Sequence, residues 1–234
     1  MTTDISRKPG PIEDAMVAGR LPVLVSLARH DIDLAKAAVD AGAFGLKFHL
    51  NAYHRASGTT FGSFSEERPF IEALAKLGRP MLVMSGQETQ PTVAELTALA
   101  DYGVEGWNIY LKHVQPHLYE APLTPILALD SESGQDDFDA IRAIPGAMVE
   151  ASIGHFAEYG QPLNDADLAR FAEIVRLSGR PVIAPSQKRF TAADMPGLKA
   201  AGIGAVLVGV VVTGAEPATL RSALEPIVDA ASRA

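Results

Sequence analysis

Short runs of Val, Ile, Leu and Met recur along the chain. Each is followed by a polar or glycine-rich stretch, an amphipathic segment of helical period, and a glycine before the next run. Apolar runs of this length suit strands buried on both faces, and a helix between successive runs makes the strands parallel. The runs fall at 21–28, 45–51, 80–85, 106–112, 124–130, 147–152, 181–186 and 205–209. Eight strands close a parallel sheet, so the pattern predicts an α/β chain folded as a (β/α)8 TIM barrel. At 234 residues the chain suits one such domain over 1–234, with residues 1–10 expected to be flexible.

Helix boundaries carry their own signals. Thr191 with Asp194 forms a capping-box pair, Ser65 is a candidate cap for the helix holding Phe70 and Leu74, and Asn164 or Asp165 caps the one holding Leu168 and Phe171. Gly42, Gly78, Gly103, Gly179 and Gly202 stand where left-handed C-terminal caps belong. Between Lys112 and Thr124 there is room for about one turn and two prolines, so helix 4 should be vestigial. The segments LGRPMLVMSGQ and SGRPVIAPSQK resemble each other four strands apart. That similarity reads equally as half-barrel duplication or as ordinary helix-to-strand loop chemistry.

Composition narrows the chemistry. There are no cysteines, which excludes thiolate metal sites, a thiol nucleophile and thiol redox work. A hydrophobic content of 47% supports a large core. Lys plus Arg numbers 20 against 28 Asp plus Glu, and the net charge of −8 argues against a nonspecific hold on nucleic acid. Asp4, Arg7 and Lys8 leave the first ten residues without a signal-peptide core, and the run 200–215 is glycine-broken and too short to span a bilayer. A cytoplasmic protein without a membrane partner is therefore expected.

Strand parity then selects candidate residues. In GLKFHLN, Lys47, His49 and Asn51 share one face, and in GWNIYLKH so do Asn108, Tyr110 and Lys112. Asp130 ends the fifth strand and Glu150 lies on the sixth. Polar residues on the inward face near the C-terminal ends mark a barrel's active site, so Lys47, His49, Lys112, Asp130 and Glu150 are the catalytic candidates. A buried ion pair that merely fills the interior is the competing reading, and for His49 a satisfied core histidine is as good an account. His113, His117 and His155 read as exposed or as lid contacts. No tight metal-ligand spacing is present, so no metal or other cofactor is called for, and a metal site would have to be assembled from several strands. Segment 52–68 is long for its place, and its Ser57, Gly58, Thr59, Thr60, Gly62 and Ser63 suit a phosphate or sugar.

The C-terminal segment gives the most specific motif. Ser186 and Gln187 end the seventh strand, Gly209 and Val210 the eighth, and loops at these two strands commonly hold phosphate. AGIGAVLVGVVVTGAEP resembles the ending of the ribulose-phosphate-binding barrels, which include phosphosugar epimerases, tryptophan-biosynthesis barrels and thiamin-phosphate synthase. In style the chain is most similar to the N-acetylmannosamine-6-phosphate epimerases. The resemblance implies a phosphate site at Gly209 and Val210 and no family catalytic residue. The metal strand of pentose-phosphate epimerases is replaced by LKFHLN, and the Asp-Lys-Asp motif of orotidylate decarboxylases is absent. The expected activity is proton transfer next to a carbonyl on a small phosphorylated sugar or hydroxy-ketone, by an isomerase, an epimerase or an aldolase, with Lys112 as the Schiff-base candidate. A non-catalytic regulatory barrel that binds such a ligand is the alternative, and self-association into a homo-oligomer stays open.

Overall fold

Parallel pairing runs unbroken around eight strands. The computed structural model describes residues 9–234; the flexibility expected of the first residues falls largely on 1–8, outside the described ones. The strands are β1 Val23–Ser26, β2 Gly45–His49, β3 Ala52–His54, β4 Thr59–Phe61, β5 Met81–Met84, β6 Val104–Tyr110, β7 Thr124–Leu129, β8 Met148–Ala151, β9 Val182–Pro185 and β10 Ala205–Val208. The ring order is β1-β10-β9-β8-β7-β6-β5-β2, closed by pairing of β2 with β1. Around it lie α2 Ile32–Asp40, α3 Phe64–Ala75, α4 Val93–Asp101, α5 Gln135–Arg142, α6 Asp165–Ser178, α7 Met195–Ala200, α8 Val210–Thr213 and α9 Pro217–Arg233. The fold is the (β/α)8 barrel that the pattern predicts.

The vestigial fourth helix is observed as two 3-10 turns, Leu111–His113 and Pro116–Glu120. All five predicted cap glycines have positive φ. Asn164 caps α6 and Thr191 boxes with Asp194. At α3 the cap is Ser63, not Ser65: Ser63 pairs with Glu66 in a capping box, because Phe64 and Ser65 already belong to the helix. Ser63 is thereby engaged in the helix rather than offered to a ligand.

Two elements escaped the sequence reading. Helix α1, Pro11–Val17, precedes the barrel and closes its bottom. Ile12 and Met16 pack against Leu24, Leu82, Ile126, Met148, Ile183, Ala205 and Leu207, which form the apolar floor of the barrel interior. Glu105 on β6 accepts a hydrogen bond from the Ile12 amide at 3.0 Å, which anchors the start of this plug. The second element is the β3–β4 hairpin, where the expectation was a loop. Asn51, at φ 50°, makes the turn out of β2, and its amide donates to the Gly62 carbonyl at 2.8 Å. Asparagine tolerates this left-handed conformation better than most residues do.

Among the described residues, no helix is long and apolar enough to cross a membrane.

Candidate active site

Because side chains alternate along a strand, the residues one step above the apolar floor face the same interior. On β2, β6 and β8 that step brings Lys47, Asn108 and Glu150 together. Lys47 Nζ lies 2.7 Å from Glu150 Oε2 and 2.6 Å from Asn108 Oδ1, and the Asn108 amide group donates to the Ile126 carbonyl at 2.9 Å. All three are buried. A charge pair at this depth persists only if its partners are close and well aligned, as they are here.

Above the pair opens a cavity of about 530 Å³. Its wall toward β6 and β8 carries Tyr110, Ser152 and Tyr159. Burial pushes the Tyr110 phenol up to about 12 and raises Tyr159, so both stay protonated as donors at neutral pH. Toward β2 the wall is His49 and His54, with ring centroids 4.6 Å apart. His49 also stacks on Phe61 at 4.8 Å. Burial holds His49 well below the ordinary imidazole range and lowers His54 to about 4, with the Lys47 charge acting in the same direction. Both rings are therefore neutral at pH 7 and add no charge to the cavity. Beneath the hairpin, and outside the cavity lining, His30 pairs with Glu67 and stacks on Phe70 at 4.3 Å.

The ends of β9 and β10 supply the remaining wall, with Ser186, Gln187, Gly209, Val210 and Val211. Gly209 donates its amide to Ser186 Oγ at 2.7 Å, which leaves the Ser186 hydroxyl hydrogen free to point elsewhere. Val210 and Val211 open α8, and first-turn amides have no acceptor within their own helix. Gln187 is spent on the scaffold: Oε1 accepts from the Gly154 amide at 2.7 Å and Nε2 donates to the Tyr159 oxygen at 2.9 Å. Lys188, also overlooked in the sequence, is buried and pairs with Glu158 at 3.1 Å, tying the loop after β8 to the end of β9.

Two of the catalytic candidates lie elsewhere. Lys112 and Asp130 do pair, at 2.8 Å, but the Lys112 side chain is 61% exposed and neither residue lines the cavity. The physical reason is that β6 ends at Tyr110 and the chain enters a 3-10 turn, so strand parity no longer applies at position 112. Asn51 likewise leaves the strand at the hairpin turn and does not line the cavity. From the 52–68 segment the cavity takes Tyr53, His54, Arg55 and Ala56, and none of the Ser, Thr and Gly residues expected there. Thr59 and Thr60 pair in the hairpin, and Ser57 hydrogen-bonds the His54 ring at 2.7 Å. Of the loop histidines, His117 meets the Pro91 carbonyl and His155 meets Ser131. Among the described residues, no cluster of three or more His, Asp or Glu is placed to hold a metal ion.

Neither a protein-family model nor a curated protein sequence matches the chain. Solved structures do. Tryptophan synthase from Mycobacterium tuberculosis superposes with a TM-score of 0.72 at 14% identity, over 96% of this chain and 99% of that one. The tryptophan synthase alpha-subunit from Pyrococcus furiosus gives 0.69 at 12% identity, over 90% and 98%. Thiamine phosphate pyrophosphorylase from the same organism gives 0.63 at 14%, over 92% and 96%. At such identities the likeness is one of fold.

Proposed function

We propose that this chain is an enzyme acting on a small phosphorylated sugar or hydroxy-ketone by proton transfer next to a carbonyl, as an isomerase, epimerase or aldolase-type lyase. The observation that carries the reading is the Lys47–Glu150 pair on the cavity floor, with Ser186 and the first-turn amides of α8 on the same cavity wall. An anion suits those amides and the Ser186 hydroxyl. A substrate held there by its phosphate directs its carbonyl end toward the floor.

The chemistry follows from the charges. Glu150 takes the proton from the carbon next to the carbonyl, the C–H electron pair moves into the new C=C bond, and the Lys47 ammonium hydrogen-bonds the developing enolate oxygen. Return of the proton to the former carbonyl carbon, with the neighbouring hydroxyl's proton passing to the enolate oxygen as the new C=O forms, isomerises the substrate, and return to the opposite face of the original carbon epimerises it. In a lyase, Glu150 instead takes the proton of a β-hydroxyl, the C–C bond breaks, and its electron pair becomes the enolate. His49, neutral and one inward position above Lys47, is placed to donate to an oxygen without adding charge.

The experiment is solvent exchange. Small phosphates, dihydroxyacetone phosphate and ribulose 5-phosphate among them, are screened for a rise in melting temperature, and those that bind are incubated with the protein in deuterium oxide and followed by NMR. Deuterium should enter next to the carbonyl, and Glu150→Gln should slow this by about 10²- to 10⁴-fold while binding persists. Binding without exchange for every ligand would reject the reading. That outcome is what the second reading, a regulatory phosphometabolite-binding barrel, requires, and it draws on the fact that Lys47 already has two acceptors, Asn108 and Glu150, without any ligand.

A further inference from the structure

The cavity holds one charge that the proposed chemistry leaves unused. Among the described residues lining it, Lys47 and Arg55 are the lysines and arginines, and Glu150 is the one acid. Lys47 is neutralised by Glu150 at 2.7 Å. Arg55 makes neither an ion pair nor a hydrogen bond to any described residue.

Arg55 is exposed, but its backbone turn and one ring contact orient it. It sits on the tip of the β3–β4 hairpin, where the His54 carbonyl accepts from the amides of Ser57 at 3.2 Å and Gly58 at 2.9 Å. Its guanidinium lies 4.5 Å from the ring centroid of Phe156. Phe156 follows β8, whereas the hairpin follows β2, and these strands stand four places apart in a ring of eight. The hairpin and the loop after β8 therefore meet at the cavity, with Arg55 against Phe156. The loop it reaches is itself fixed by Gln187 and Lys188. A guanidinium stacked on an aromatic face keeps its in-plane N–H donors free, and fixing the plane lowers the entropy lost when an anion binds.

We propose that Arg55 is a specificity-determining residue that binds a second acidic group of the substrate, carboxylate or phosphate, beside Phe156 at the edge of the cavity. The proposal rests on the reading that the first phosphate occupies the amides of Val210 and Val211. It narrows the substrate class to compounds that carry a second acidic group besides the phosphate. A cavity of about 530 Å³ has room for such a molecule.

Matched ligand pairs test it. Dissociation constants are measured by calorimetry for 3-phosphoglycerate against glycerol 3-phosphate, and for ribulose 1,5-bisphosphate against ribulose 5-phosphate, in the native protein, Arg55→Met and Arg55→Lys. The native protein should prefer the doubly acidic member of at least one pair by about 10- to 100-fold, the range of a charge-assisted hydrogen bond. Arg55→Met should abolish the preference, Arg55→Lys should keep part of it, and the singly acidic ligands should bind all three proteins alike. Equal binding within both pairs, or a preference that survives in Arg55→Met, overturns the proposal and leaves the phosphate reading standing. Equal weakening of both members in Arg55→Met marks a structural strap and overturns it as well. If no ligand of either pair binds the native protein, the phosphate reading fails, and the proposal fails with it.

Discussion

Lys47 and Glu150 stand on opposed strands of the barrel, and their charged atoms meet 2.7 Å apart at its centre. Only a side chain as long as lysine, met halfway by glutamate, closes that distance. Both side chains are 10% exposed or less, so removing one charge leaves the other buried and unpaired. Lys47→Met should destabilise the fold by about 3–5 kcal/mol, and the double variant Lys47→Met with Glu150→Met should recover most of that loss. Urea unfolding of the four proteins in the cycle measures both quantities.

The rim pair behaves differently. Lys112→Met should change stability by less than about 1 kcal/mol, because Lys112 is largely in solvent and salt screens the interaction. Its carboxylate partner holds the lysine above its usual range, so the charge persists at any ordinary working pH. Unfolding of native and variant proteins at low and at high salt reads the effect, which should shrink as salt rises.

Glu105 should give stability an acid-favoured component. Burial raises its carboxyl to about 7, against an ordinary value of 4.5. Below 4.5 the group is protonated folded and unfolded alike; between 4.5 and 7 the folded state holds the extra proton, so stability is lost as pH rises through that window. Glu105→Gln should remove this slope, seen as a flatter difference in unfolding free energy between pH 5 and pH 8.

His54 should act with the opposite sign. Its folded value of about 4 lies below the ordinary 6.5, so its contribution is present above pH 6.5 and is lost as pH falls toward 4. Histidine NMR should find the His54 ring neutral at pH 5.5.

The plug helix should be needed for the barrel floor. Ile12 has no solvent exposure, and Ile12→Ala should cost about 2–5 kcal/mol through lost contacts and the cavity left under Leu24 and Ile126. Thermal unfolding gives the value, and a loss under 1 kcal/mol would mean that α1 peels away without disturbing the strands.

What the sequence determined by itself was everything set by local periodicity. Eight apolar runs, five cap glycines and the short fourth connection follow from alternation, backbone conformation and chain length, and these are properties a segment carries wherever it is placed. Parity along β2 and β8 likewise put Lys47 and Glu150 on inward faces. Tertiary structure alone decided which inward residues meet. That Lys47 reaches Glu150 depends on ring closure, which sets strands distant in sequence opposite each other. That Lys112 misses the cavity depends on where β6 stops pairing with β7, at Tyr110, after which the backbone turns. The hairpin, with His54 and Arg55 at the cavity, was hidden because its two strands are three residues each, too short to show alternation. Helix α1 was hidden because its Ile12 and Met16 count as core only against a barrel floor assembled from seven residues of six different strands.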